Sequence, residues 1–188
     1  MKYEDVSGPD GKPDGKIDSH DKVVEEGRFP EFEYSFNLNA EYKNFYISAF
    51  FQGVQGIKYY VTKWGIEPFT QGAAPTVDWM DRWTPENRTN EKPRIYVGWE
   101  TPIMDTPSTY FLQNGSYFRL KNLQVGYTFE QEWLKQIKVN SIRLYFSGDN
   151  LFTITKYPYL DPERSGSAWQ FVQYPQNRVL SLGASINF

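Results

Sequence analysis

The sequence predicts an all-β, antiparallel fold, and three observations carry that prediction. Five stretches, near residues 32–41, 45–57, 116–129, 140–153 and 178–188, alternate apolar and polar side chains with a period of two. Their connections alternate short, long, short, long. The last alternation runs to an aromatic residue, Phe188, at the end of the chain. Each stretch holds about ten residues or more, whereas strands of globular domains typically run to about five or six. Alternating strands are most often those of soluble β-sandwiches, but this length, the loop asymmetry and the terminal aromatic pull toward a membrane-spanning barrel, whose segments alternate over roughly 10 residues between short turns and long loops. Periodicity alone leaves both open.

Residues 1–31 carry nine acids and five bases, with abundant Gly and Asp and no apolar period, so this acidic head reads as a loop. Phe32, Tyr34, Phe36, Leu38 and Ala40 then alternate with Glu33, Ser35, Asn37 and Asn39. A polar break at 41–44 precedes Phe45, Ile47, Ala49 and Phe51, and the two runs read as a hairpin. Residues 58–113 hold six prolines and four of the six tryptophans without a sustained period, which marks a long connection. Leu123, Val125, Tyr127 and Phe129 next oppose Asn122, Gln124 and Thr128. Arg119 and Lys121 fall on the apolar parity of that run, which either a bulge or an interface position would explain. The short stretch 130–140 has room for one helical turn. Ile142, Leu144 and Phe146 alternate with Arg143, Tyr145 and Ser147, and residues 155–176 form a second irregular connection. Leu180, Leu182, Ala184, Ile186 and Phe188 make the cleanest run of all.

Composition excludes several functions. There is no cysteine, so disulfides, thiolate metal sites and a Cys nucleophile are out. The one histidine, His20, sits among acids, and no nucleophile–base set stands out. Asp149 with Asp161 or Glu163 lacks the contrast of environments that a glycosidase pair needs, so no enzyme is expected. A net charge of -3 argues against a nucleic-acid partner. No run is long and apolar enough for a membrane-spanning helix, and Met1–Asp10 does not resemble a signal peptide. The start therefore reads as internal to a longer protein.

Two sets of residues invite a binding role. Asp10, Asp14, Lys16 (through its carbonyl), Asp18 and Asp21 fall at positions 1, 5, 7, 9 and 12 of a calcium-type loop, with Gly15 at position 6. Lys12 at position 3 and the short Asp21 at position 12 count against calcium, and a solvated Asp/Gly turn is the other reading. No other cofactor is indicated. Trp64, Trp79, Trp83, Trp99 and Trp169 all lie in the two long connections. There they would either stack on substrate or a partner, or pack the loops against one another.

Seven collinear blocks carry a resemblance. They are Asp14–Asp18 with Asp21 leading to Pro30; Phe50-Phe-Gln-Gly53; Arg82-Trp-Thr-Pro-Glu-Asn87 with Pro93-Arg94; and Asn114–Leu123 with Gly126-Tyr-Thr128. Asp149-Asn-Leu-Phe-Thr153, Thr155-Lys-Tyr157 with Asp161-Pro-Glu163, and the terminal Phe188 complete them. In these the chain resembles the C-terminal end of SusC/RagA-type TonB-dependent outer-membrane transporters. The resemblance implies the last five strands of a 22-stranded barrel, with the plug domain and N-terminal strands absent. It implies residence in the outer membrane of a Gram-negative bacterium, with the apolar strand faces against lipid. Residues 1–31, 58–113 and 155–176 would be outer loops, and 41–44 and 130–140 periplasmic turns. The whole transporter would import oligosaccharides or oligopeptides with a SusD-type surface lipoprotein, energised by TonB through the missing N-terminal part. Ile186 and Phe188 would belong to the signal read by the barrel-assembly machinery. This chain alone would not transport, and the alternative is a soluble carbohydrate-binding β-sandwich.

Overall fold

A computed structural model describes residues 3–62, 67–69, 72–95, 107–159, 161–164 and 174–188. The chain divides into two compact units, one of residues 1–26, 60–112 and 167–171, the other of 27–59, 113–166 and 172–188.

The second unit is built on a five-stranded sheet. Its strands are β1 (Phe32–Tyr42), β2 (Phe45–Gln55), β5 (Tyr117–Phe129), β6 (Ser141–Thr155) and β7 (Val179–Asn187), in that spatial order and all antiparallel. These are the five stretches with period-two alternation, with ends shifted by at most two residues. Two further strands, β3 (Lys58–Tyr60) and β4 (Leu112–Asn114), pair as a separate sheet inside the stretch read from sequence as irregular. Three residues each are too few for a period to show.

The β1–β2 hairpin closes over Lys43 and Asn44, with Lys43 in the left-handed region at φ 53°. The Asn44 side chain donates to the Thr128 carbonyl at 2.7 Å, tying this turn to β5. Between β5 and β6, α1 (Glu132–Gln136) supplies the expected helical turn. It is held by Leu134 and Val139, both buried.

Register gives the sheet two distinct faces. Phe36, Phe51, Leu120 and Phe152 line up across four strands, as do Leu38, Ala49, Leu123 and Gly148 one layer along. In the opposite half, Val125, Phe146 and Leu182 continue the same apolar face. This face is largely uncovered: Leu38, Leu144, Ile154, Leu180 and Leu182 are exposed, Leu182 by 86%. Asn122, Gln124, Thr128, Arg143, Ser147 and Asp149 occupy the other face. An exposed apolar surface this extensive marks a face that meets another surface, protein or membrane.

Arg119 and Lys121 show why the sequence alternation breaks. Phe50 pairs with Asn122 but Phe51 with Leu120, so Lys121 is an extra residue in β5. The bulge inverts parity before it, which puts Phe118 and Leu120 on the apolar face and Arg119 on the polar one. Of the two explanations the sequence allowed, the bulge holds. On β6 the compensating irregularity lies at Asn150, whose φ is 51°.

In the first unit, Val61, Trp79 and Phe111 are buried, and the Val61 N–H donates to the Phe111 carbonyl at 2.8 Å. Short 3-10 turns at Ser19–Asp21, Val77–Asp81 and Thr109–Phe111 punctuate its loops. Among the described residues no helix is long and apolar enough to cross a membrane, a statement that does not bear on strands.

Candidate functional site

The most heavily bonded polar cluster among the described residues grows from the β5 bulge. By turning Arg119 onto the polar face, the bulge places its side chain beside Thr153, its cross-strand partner, and the guanidinium Nε donates to Thr153 Oγ1 at 2.8 Å. Nη2 donates to Asp161 Oδ1 at 2.9 Å and Nη1 to Glu163 Oε2 at 2.6 Å. Lys121 Nζ reaches both oxygens of Glu163, at 2.7 and 2.9 Å. Arg119 and Asp161 are buried, with side-chain exposures of 3% and 7%. The Tyr117 ring lies 5.6 Å from the Arg119 guanidinium carbon, a cation–π distance.

The carboxylates are also bound to backbone. Asp161 Oδ1 accepts from the Glu163 N–H and Oδ2 from the Gln176 N–H, each at 2.9 Å. Burial alone would raise the Asp161 pKa; the N–H groups of Gln176 and Glu163 and the Arg119 guanidinium outweigh it and hold the carboxyl below the usual range. Tyr59 donates its hydroxyl to the Pro162 carbonyl at 2.8 Å. Burial, and then the negative charge of its neighbours, push the Tyr59 phenol up to about 12. Segment 161–164 is thus fastened to the polar face of the sheet. Chemically the cluster is a brace. Both carboxylates are taken up by cations, which suits neither acid–base nor nucleophilic work.

The residues singled out from sequence are placed as follows. Asp21 Oδ1 accepts the N–H groups of Val6 and Ser7, at 2.8 and 3.1 Å, and Oδ2 that of Asp18 at 2.8 Å. Asp18 caps the 3-10 turn and Asp14 bonds the Lys16 N–H at 2.9 Å. Among the described residues no three His, Asp or Glu side chains gather as metal ligands, Asp10, Asp14, Asp18 and Asp21 included. Trp79 is buried, with Lys92 Nζ 5.7 Å from its ring and paired to Asp78 at 2.6 Å. Trp83 is half-buried. Trp64, Trp99 and Trp169 lie outside the described residues. Ile186 pairs with Ile142 on the apolar face, and Phe188 follows β7, exposed.

Sequence reasoning noted Arg119, Lys121, Asp161 and Glu163 singly but did not join them. The signal was there as two charges on an apolar parity with unassigned carboxylates about 40 residues on.

The five-stranded antiparallel sheet, with one braced, polar face and one uncovered, apolar face, forms a wall of β-structure. No protein-family model matches the chain. It is 33% identical to TonB-dependent receptor P3 of Formosa agariphila over 186 residues, covering 93% of this chain and 18% of that protein. It is 27% identical to TonB-dependent receptor SusC of Bacteroides thetaiotaomicron, covering 99% of this chain and 19% of that protein. Its fold matches the RagAB peptide importer in the open-open state with a TM-score of 0.67 at 26% identity, over 97% of this chain and 20% of that one. The chain is similar to TonB-dependent receptors of the SusC/RagA type, and it spans about one fifth of the length of these relatives.

Proposed function

We propose that this chain is the C-terminal wall of a TonB-dependent transporter in the outer membrane of a Gram-negative bacterium. Its five strands are the last of a 22-stranded barrel, with the apolar face against lipid and the polar face lining the lumen. The observation that carries the reading is the sheet itself: a register that keeps one face continuously apolar and uncovered, by means of a bulge without which Arg119 and Lys121 would interrupt it. A soluble sandwich would bury that face against a second sheet. Five strands cannot close, so β1 and β7 would pair with further strands of the complete barrel. Residues 1–31, 58–113 and 155–176 then serve as outer loops. Ile186 and Phe188 serve the barrel-assembly machinery. The complete transporter imports oligosaccharides or oligopeptides with a SusD-type lipoprotein and draws energy from TonB through a plug outside this segment. Segment 161–164, braced to the wall by Arg119, holds the base of the last outer loop in place.

Fractionation of cells expressing the complete receptor tests this. The protein should sediment with outer membrane and need detergent to dissolve. A monodisperse, detergent-free monomer of this chain would overturn the barrel in favour of the soluble sandwich.

A further inference from the structure

One end of the sheet carries the two short connections, 43–44 and 130–140, side by side because Phe45 pairs with Tyr127. Each places a lysine in the left-handed region of backbone space, Lys43 at φ 53° and Lys138 at φ 61°. A Cβ crowds the backbone there, so the region favours glycine and, after it, asparagine. Both settings are ones that glycine ordinarily fills. Lys43 opens a two-residue hairpin turn. Lys138 follows the last turn of α1, where the N–H groups of Lys138 and Val139 close on the carbonyls of Lys135 and Leu134 at 3.1 and 3.0 Å. The same edge of the sheet thus twice holds a side chain where glycine would be unstrained, and both times it is a cation.

The surroundings say what those charges meet. Tyr42, Phe45, Tyr127 and Leu144 form the last row of the apolar face at this edge, and Tyr42 and Phe45 are exposed. Lys43 Nζ lies 5.3 Å from the centre of the Tyr42 ring, so its charge stands on the apolar side of the rim. Glu41 falls on the opposite parity, in register with Tyr46 and Gly126. In the second connection, α1 buries Leu134 and leaves Trp133 and Ile137 exposed, while Glu132 is taken by Lys135 at 2.9 Å. That leaves Lys43 and Lys138 against Glu130, so the rim is positive. A lysine spans an apolar boundary with its stem and keeps its ammonium in the polar layer. Cations and amphipathic rings bordering an apolar face match the level at which phospholipid phosphates overlie acyl chains.

We propose that Lys43 and Lys138 bind the headgroup phosphates of anionic phospholipid at this rim, with Tyr42, Phe45 and Trp133 seated at the level of the glycerol. The inference rests on the barrel reading of the apolar face and assigns a ligand to its edge. The test uses the complete receptor in a neutral detergent, with phosphatidylglycerol as the probe and thermal unfolding as the readout. Phosphatidylglycerol should raise the unfolding midpoint of the wild-type receptor. Lys43→Gly combined with Lys138→Gly should remove half or more of that rise, yet unfold no lower than wild type in detergent alone, because glycine relieves both backbones. Lys43→Arg with Lys138→Arg keeps both charges and should retain the rise. Lys156→Ala with Arg178→Ala, which removes two exposed cations at the opposite end of the sheet, should retain it too. Five results overturn the headgroup site and leave the importer reading standing: no rise with phosphatidylglycerol, a rise that survives in the glycine pair, an equal rise with inorganic phosphate, an equal loss in the Lys156 and Arg178 pair, or early unfolding of the glycine pair in detergent alone. A wild-type receptor that stays dissolved without detergent would instead defeat the importer reading itself.

Discussion

Arg119 Nη2 lies 2.9 Å from Asp161 Oδ1, across 42 residues of sequence, and neither side chain is more than 7% exposed. A buried pair of this kind contributes little net stability compared with apolar packing, but breaking one partner is costly. The pair is therefore a device for position: it decides where the segment after Tyr159 returns to the sheet.

Replacing Arg119 by Met leaves Asp161 and Glu163 without their guanidinium. The expected cost is about 3–5 kcal/mol, concentrated in the brace. Limited proteolysis of the folded receptor should show faster cutting near Arg164, with the strands still protected. Arg119→Lys keeps the charge but loses the fork geometry, and should fall between.

The brace should be insensitive to pH from 5 to 8. Asp161 has a folded pKa below its ordinary value of 3.8, so its contribution is fully present above that value and is lost as pH falls through the lowered one. Cutting near Arg164 should be equal at pH 5 and pH 7 and should rise below about pH 3.8.

Deleting Lys121 removes the bulge and leaves the pairing of residues 117–120 and 122–129 as it is. Leu120, now next to Asn122, stays on the apolar face and Arg119 on the polar one, because the residue removed is the extra one. Folded receptor in the outer membrane is therefore expected for the deletion. Lys121→Ala keeps the register, loses only the Glu163 pair, and should assemble normally.

Tyr145 lies over Gly183, and Tyr46 over Gly126, so closely that a Cβ at either glycine would run into the ring. Gly183→Val should displace Tyr145 at a cost of about 1–3 kcal/mol. Thermal unfolding of the purified receptor measures it. Pairing Gly183→Val with Tyr145→Ala should recover part of the loss.

Trp79 and Trp83, similar in sequence setting, should separate. Trp79 is buried under Lys92, so Trp79→Ala should cost about 3–5 kcal/mol and raise hydrogen exchange through residues 77–92. Half-buried Trp83 should cost less on the same measurement.

Much of the sheet was legible because its signal is local. A period of two over ten residues, as in Leu180 to Phe188, states both strand and face. The brace was not legible. Arg119 and Lys121 looked misplaced because one inserted residue inverts parity, and nothing local says whether such a residue is bulge or interface. The two-residue turn at Lys43 and the helical turn at Glu132–Gln136 fell where polarity and spacing placed them.

The sequence by itself determined the five strands, their antiparallel class, the apolar and polar parity of each except the first half of β5 and, through collinear motifs, the SusC/RagA resemblance. Only the tertiary structure decided which strands pair and in what register, where the ladder skips a residue, and that Arg119 meets Asp161 and Glu163. The division has a physical cause. Alternation follows from backbone geometry within a few residues, whereas a buried ion cluster depends on groups brought together from distant parts of the chain.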